Sequence, residues 1–290
     1  MALNQRYLGG LYLALAASIW GGMYVVSKVV LHSVSPIALV WLRYVVALAA
    51  LFMAAVASRQ SWRIRWRDVP LVLAVGVIGY AVSIWTQFLG TKLSTAQMGA
   101  MITSATPAFM VVFARWLLGE RITRRKAFSV LLATVGVLMI VGVGGIHGNY
   151  GLGGIILGVA ALTWALMSVL VKRVPSTYSQ LVVTAYAILA ATVVVSPAAV
   201  PQLHGILGKL ADPVVWGGIL YVGVVSTACA FFLWNKGLQL VDAGSGGLYF
   251  FFQPLVGTWL GWLVLGEQVS LWFWLGAVLI MAGVLLALRE

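Results

Sequence analysis

The sequence predicts an all-α integral membrane protein, with ten transmembrane helices arranged as two inverted five-helix repeats and both termini in the cytoplasm. Three observations predict it: an extreme composition, a succession of apolar runs long enough to cross a bilayer, and a second half that echoes the first. Hydrophobic residues make up 62% of the 290 positions and charged ones 8%, whereas a soluble domain carries about half and about a quarter. A water-soluble fold could not cover so much apolar surface.

At about 20 residues per crossing, spans fall at 7–31, 36–57, 69–90, 95–118 and 126–144, and then at 152–171, 178–200, 214–235, 243–265 and 271–288. Breakers separate them: residues 33–36 and 175–177 each contain a proline, 145–151 is rich in glycine, and 201–213 begins and ends with proline. The first run contains Ala14-Leu15-Ala16, which resembles a signal-peptide cleavage site. A signal's apolar core is only roughly 7 to 15 residues long, so the run is read as a helix.

The formal net charge is +12, yet the basic residues are scattered through short connectors. That pattern points to the membrane surface and away from nucleic acid. With the amino terminus inside, thirteen Lys and Arg face the cytoplasm and only Lys92 and Lys209 face outward. Translocating a basic loop is disfavoured, so the imbalance orients the chain and agrees with an even number of spans. Cys229 is the single cysteine, which excludes an internal disulfide and a thiolate metal cluster.

The repeat emerges when the chain is slid against itself. Shifted by 144 positions, Gly10, Leu13, Trp20, Met23 and Lys28 meet Gly154, Leu157, Trp164, Met167 and Lys172. Shifted by 147, Gly90, Pro107, Gly119 and Glu120 meet Gly237, Pro254, Gly266 and Glu267. The two units are residues 1–145 and 151–290. Five crossings is an odd number, so the second unit enters the membrane from the opposite side, an arrangement characteristic of transporters.

Trp20-Gly21-Gly22, Arg43-Tyr44, Pro107 and Leu118-Gly119-Glu120-Arg121 have echoes at Trp164, Pro254 and Leu265-Gly266-Glu267. With these residues the chain resembles the drug/metabolite transporter superfamily, in particular its ten-helix EamA-type family, and within it the bacterial exporters of aromatic and other neutral amino acids. The resemblance covers almost the whole chain. It implies a ten-helix bundle in the bacterial inner (plasma) membrane that exports amino acids or related metabolites, but its motifs are mainly structural and name no substrate. Arg43 departs from the symmetry, because the matching stretch Thr184-Ala185-Tyr186 is uncharged.

Trp20, Tyr80 and Trp164 fall near mid-span, away from the interfaces where aromatics usually sit, and are expected to wall a cavity. Trp20, Tyr24 and Ser27 share one helix face, as do Tyr80, Ser83 and Gln87. Pro107 and Pro254 each remove a backbone hydrogen bond and free the carbonyl four residues earlier, at Thr103 and Phe250. Helices interrupted near the midplane are where transporters hold substrates, so both prolines are expected to break or gate their helices. Gln253 adjoins Pro254, with Tyr249 one turn earlier. Arg43 lies deep in the second span, where a cation is costly unless an anion, a carbonyl or water meets it; a substrate carboxylate is the expected anion. Lys28 and Arg115 are expected to snorkel toward the surfaces. The expected substrate-binding set is therefore Trp20, Tyr24, Arg43, Tyr80, Ser83, Gln87, Thr103, Trp164, Tyr249 and Gln253. The same residue types also fill cores and bind neighbouring helices, and sequence alone leaves both uses open.

Asp68, Glu120, Asp212, Asp242, Glu267 and Glu290 fall at span ends or in connectors, as do His32, His147 and His204. Proton-driven pumps generally hold a titratable group within the membrane, so facilitative, downhill export by alternating access is expected. An intramembrane enzyme would need a serine with an embedded histidine, or a cluster of acids and metal ligands. No catalytic residue, metal site or cofactor is expected. The alternatives are a multidrug exporter of planar cations and, less favoured, a channel; Arg43 and the missing mid-span carboxylate count against planar cations. Ten helices suffice to enclose a pathway, so a functional monomer is expected, with a small-molecule substrate and membrane lipids as partners.

Overall fold

Backbone groups buried in hydrocarbon have no water to bond, so an apolar chain must satisfy them internally. The computed structural model describes residues 2–93, 102–103, 105–141, 151–265 and 271–288, and every regular element among them is helical. α1 (Ala2–Leu31) turns tightly into α2 (Pro36–Ala57), which Pro36 opens at the position where its missing N–H costs no bond. A 3-10 turn at Trp66–Asp68 leads into a continuous rod of α3 (Val69–Ala74), a π-helical stretch (Val75–Ser83) and α4 (Ile84–Leu93). α5 (Thr106–Leu118) ends at Gly119, whose φ of 71° is the left-handed conformation that glycine adopts without strain. α6 (Arg124–Val141) follows.

The second half repeats this order. α7 (Gly151–Arg173) and α8 (Gln180–Leu203) precede a 3-10 segment at His204–Ala211. The next rod comprises α9 (Pro213–Leu220), a second π stretch (Tyr221–Cys229) and α10 (Ala230–Leu240), and Asp212 caps its start by accepting the Val214 N–H at 2.9 Å. α11 (Ala243–Gly247), a 3-10 turn (Leu248–Phe251) and α12 (Phe252–Leu265) form a broken rod, and α13 (Leu271–Leu288) is the last described element. Among the described residues, five helical rods are long and apolar enough to cross a membrane: Pro36–Ala57, Trp66–Leu93, Leu152–Arg173, Gln180–Ile206 and Pro213–Leu240. Their outward faces carry exposed apolar side chains such as Phe52, Met53, Val193 and Val214.

Contacts between the halves come in exchanged pairs. α1 packs on α10 and α12, just as α7 packs on α4 and α5; α2 lies on the second π stretch, and α8 on the first. Two contacts join like with like, α2 with α8 and α6 with α13. Glycines follow the same exchange. A Cβ on Gly237 would sit 2.6 Å from Leu13 Cγ and 2.9 Å from the Gly9 carbonyl oxygen, and one on Gly90 would sit 2.7 Å from Leu157 Cγ and 3.0 Å from the Gly153 oxygen. Gly76 abuts Ala187, while Gly223 abuts Val46 and the Arg43 carbonyl.

Three features differ from the spans expected. The 69–90 interval contains a π stretch, as does 214–235, and no apolar periodicity announces the extra residue per turn. Pro107 stands in the first turn of α5 rather than inside a helix, so it costs no internal bond there. Pro254 is the third residue of α12, directly after the 3-10 turn that interrupts its rod. Residues 94–101 and 104, and Gly266 and Glu267, lie outside the described residues.

The close helix crossings give a direct test. Gly90→Ala and Gly237→Ala are each expected to destabilise the protein by about 1–3 kcal/mol through overpacking, read as a lower unfolding temperature in detergent. Gly158→Ala and Gly217→Ala, whose added methyl meets nothing within 4 Å, are expected to leave it unchanged or raise it.

Candidate functional site

Between the two halves lies a cage of aromatic rings. Trp20 meets Trp164 edge-on at 5.1 Å and Trp234 at 5.2 Å; Phe231 stacks on Tyr80 at 4.5 Å and meets Trp164 at 5.4 Å; Phe250 lies 5.9 Å from Trp20. The Trp20 indole N–H donates to the Ser226 carbonyl in the second π stretch at 2.9 Å, which fixes the ring across the cavity. Ser83 donates to the Ala160 carbonyl at 2.8 Å. The gap among these side chains has a volume of only about 20 Å³ and is lined also by Met23, Thr103, Thr106, Gln87 and Gln253. Its clear width suits roughly one or two waters, so a larger occupant requires the halves to move apart.

Arg43 reaches this cavity from α2 and has no solvent exposure. Its Nε donates to Thr227 Oγ1 at 2.7 Å, Nη1 lies 3.7 Å from Met23 Sδ, and Cζ stands 5.5–5.7 Å from the rings of Phe88, Phe231 and Tyr44. Thr227 can accept because its own hydroxyl proton is committed to the Val222 carbonyl, five residues back in the π stretch, at 2.6 Å. Among the described residues Nη2 finds no hydrogen-bond partner, and no carboxylate lies within ion-pair distance of Arg43. Among the described residues, the Trp164 N–H, Thr106 Oγ1 and Gln253 Oε1 are also buried without a hydrogen-bond partner. Each such group left unsatisfied costs about 1–3 kcal/mol. The cavity therefore offers a cationic donor, a neutral donor, an acceptor and a hydroxyl among aromatic faces.

Behind the cage, Asn235 donates to the Tyr80 hydroxyl at 2.8 Å and to Thr184 at 2.9 Å, and the Tyr44 hydroxyl donates to the Tyr80 carbonyl at 2.5 Å. This network ties α2, α8 and both π-containing rods together around the cavity. Away from it, Glu120 accepts the Ala243 and Gly244 N–H groups at 2.9 and 3.1 Å, Lys126 lies 3.9 Å from Glu120 and 3.8 Å from Asp242, and Lys172 donates to the Val241 carbonyl. A single polar clamp thus joins the end of α5 and the start of α6 to the connector between α10 and α11.

Of the residues expected from sequence, Trp20, Arg43, Ser83, Gln87, Thr103, Trp164 and Gln253 line the cavity. Tyr80 stands directly behind Phe231. Tyr249 points elsewhere: its hydroxyl lies against Gly10 and its ring stacks on Phe252. The Tyr24 and Lys28 side chains lie outside the described residues. Pro107 and Pro254 adjoin the lining residues Thr106 and Gln253. Sequence reasoning missed Phe231, Trp234 and Asn235: a span ending at residue 235 sets them in its last turn, where aromatics read as interfacial, whereas the rod continues to Leu240. An asparagine one turn after a phenylalanine in an apolar run was the available signal.

The EamA-like transporter family model matches the chain twice, over residues 7–142 and 151–289. An "Uncharacterized transporter" of Archaeoglobus fulgidus is 25% identical over 281 residues, covering 96% of this chain and 98% of that one. A "Probable terminal-alkyne amino-acid exporter" of Streptantibioticus cattleyicolor is 26% identical over 278 residues, covering 96% and 92%. One crystal structure superposes with a TM-score of 0.81 at 21% identity, covering 96% of this chain and 97% of that one, a likeness of fold.

The clamp generates a stability prediction. Glu120→Ala, which leaves two amide donors without their charged acceptor, is expected to cost about 1–3 kcal/mol. Asp242→Asn, at a half-exposed carboxylate 3.8 Å from Lys126, is expected to cost less than about 1 kcal/mol. Thermal unfolding of the two variants in one detergent checks the order.

Proposed function

The chain belongs to the EamA-like transporter family, a multi-pass integral membrane protein, and from that premise we propose that it exports a small zwitterion, an aromatic or other neutral amino acid, by alternating access. The observation that carries the reading is the unpaired Nη2 of Arg43, buried in an aromatic cage. A carboxylate supplies the missing opposite charge, a flat side chain suits the rings of Trp20, Trp164 and Phe231, and an ammonium suits Gln253 Oε1, Thr106 and the ring faces. The amino-acid exporter relative supports the same substrate class.

The architecture we propose is ten spans in two inverted units, residues 1–145 and 151–290. Two separate family matches and the exchanged packing of α1 and α7 support it. The bias of basic residues supports cytoplasmic termini, and we place the protein in a bacterial inner membrane as a functional monomer. Transport is facilitative, because the acids fall at span ends and Glu120 is engaged by backbone amides. Pro107 and Pro254, beside the lining residues Thr106 and Gln253, serve as points where the rods bend.

Counterflow in proteoliposomes tests the reading. Labelled tryptophan is expected to exchange saturably and to lose about 10- to 100-fold in rate in Arg43→Gln, the effect of one charged hydrogen bond, while competition by tryptamine, which lacks the carboxylate, stays unchanged. Equal loss for both compounds at an unchanged unfolding temperature would contradict the role of Arg43. Competition by a quaternary ammonium dye but not by tryptophan would favour a multidrug exporter, flux without saturation or counterflow a channel, and accumulation driven by a pH difference alone would overturn facilitative transport.

A further inference from the structure

A second, larger cleft opens on the outside of the bundle, between the segment 62–77 and α8. Its volume is about 830 Å³, toward the upper end of the ~300–1,000 Å³ usual for small-molecule pockets. Its walls are Val69, Leu73, Val77, Leu189, Val193 and Val194, and at one end stand Arg63, Trp62 and Trp66. Leu73, Leu189, Val193 and Val194 are exposed, and Trp66 is 90% exposed.

The shape of this end is held rigidly. The Tyr186 hydroxyl donates to the Trp62 carbonyl at 3.1 Å and its ring meets Trp62 edge-on at 5.8 Å. The Tyr178 hydroxyl donates to Asp68 at 2.5 Å and accepts the Arg65 N–H at 3.2 Å. Asp68, the acid of this segment, is thereby engaged, and the exposed Arg63, Arg65 and Arg67 leave the mouth cationic. The floor is closed: Val72 is 2% exposed, and Gly76 abuts the Ala187 backbone. A closed floor separates the cleft from the central cavity, so it is not a side door for the transported substrate.

We propose that this cleft is a binding site for one anionic phospholipid, with an acyl chain along the valine and leucine walls and the phosphate at Arg63, flanked by the two tryptophans. An apolar trough with a cation and indoles at one end matches the polarity gradient of a lipid from tail to headgroup. This inference rests on the protein being membrane-embedded and is independent of what the central cavity carries.

Native mass spectrometry of the detergent-purified full chain, with dioleoyl-phosphatidylglycerol or dioleoyl-phosphatidylcholine added, tests it. Phosphatidylglycerol is expected to be retained as one tightly held copy, preferred over phosphatidylcholine. Arg63→Gln is expected to lower that preference about fivefold, the roughly 1 kcal/mol that one basic side chain contributes at an anionic surface. Ala190→Trp, which fills the groove wall, is expected to remove the tightly held copy of either lipid. Unfolding temperatures of the two variants in the same detergent, matched to that of the native chain, confirm that the fold is intact. Equal retention of the two lipids by the native chain, or unchanged phosphatidylglycerol retention in both variants, would overturn the proposal.

Discussion

A guanidinium without solvent exposure, set among aromatic rings in an apolar helix bundle, is the constraint on which the rest of the account depends. A charge is tolerated in such surroundings only when hydrogen bonds, an opposite charge or water offset its lost hydration. Here Thr227 holds Nε, and three rings lie 5.5–5.7 Å from Cζ, contacts that offset part of the cost. Nη2 is left over, and on the proposed reading a substrate carboxylate meets it. The π stretch contributes directly, because its wide turn lets Thr227 give its proton to Val222 and turn a lone pair toward Arg43.

The same constraint explains why the surroundings are built as they are. Trp20 is held from behind by Ser226, and Tyr80 by Asn235 and Tyr44, so the cage walls come from both halves and their spacing depends on how the halves meet. The glycines at the crossings let backbones touch, which makes those contacts short and sensitive to any added atom. On the proposed mechanism, substrate enters when the narrow cavity widens, and the clamp from Glu120 to α11 is one polar contact between halves that such a movement would load.

Much of this was legible in the sequence, and the reasons are physical. Membrane thickness sets apolar run length, so the helical class followed from composition and length alone. The mid-span tryptophans at 20 and 164 line the cavity; their distance from the interface singled them out, although core filling was an equally open use in the sequence. Arg43 was conspicuous for the same reason. Tyr249 was misleading: helical phase placed it one turn from Gln253, but a 3-10 turn precedes Phe252 and changes the phase, and the ring faces Gly10 instead. The π stretches Val75–Ser83 and Tyr221–Cys229 were invisible because apolar spacing reports which face is buried and not the hydrogen-bond register of the turn. Glu120 stands just past the end of its helix, where its position in the sequence puts it, and there it accepts the amides of Ala243 and Gly244.

The most direct measurement is a structure of the protein determined with tryptophan bound. The account predicts a carboxylate oxygen about 2.7–2.9 Å from Arg43 Nη2 and the indole among Trp20, Trp164 and Phe231. A ligand seated elsewhere, or one bound in this cavity with its carboxylate turned away from a guanidinium that has found a protein partner, would contradict it.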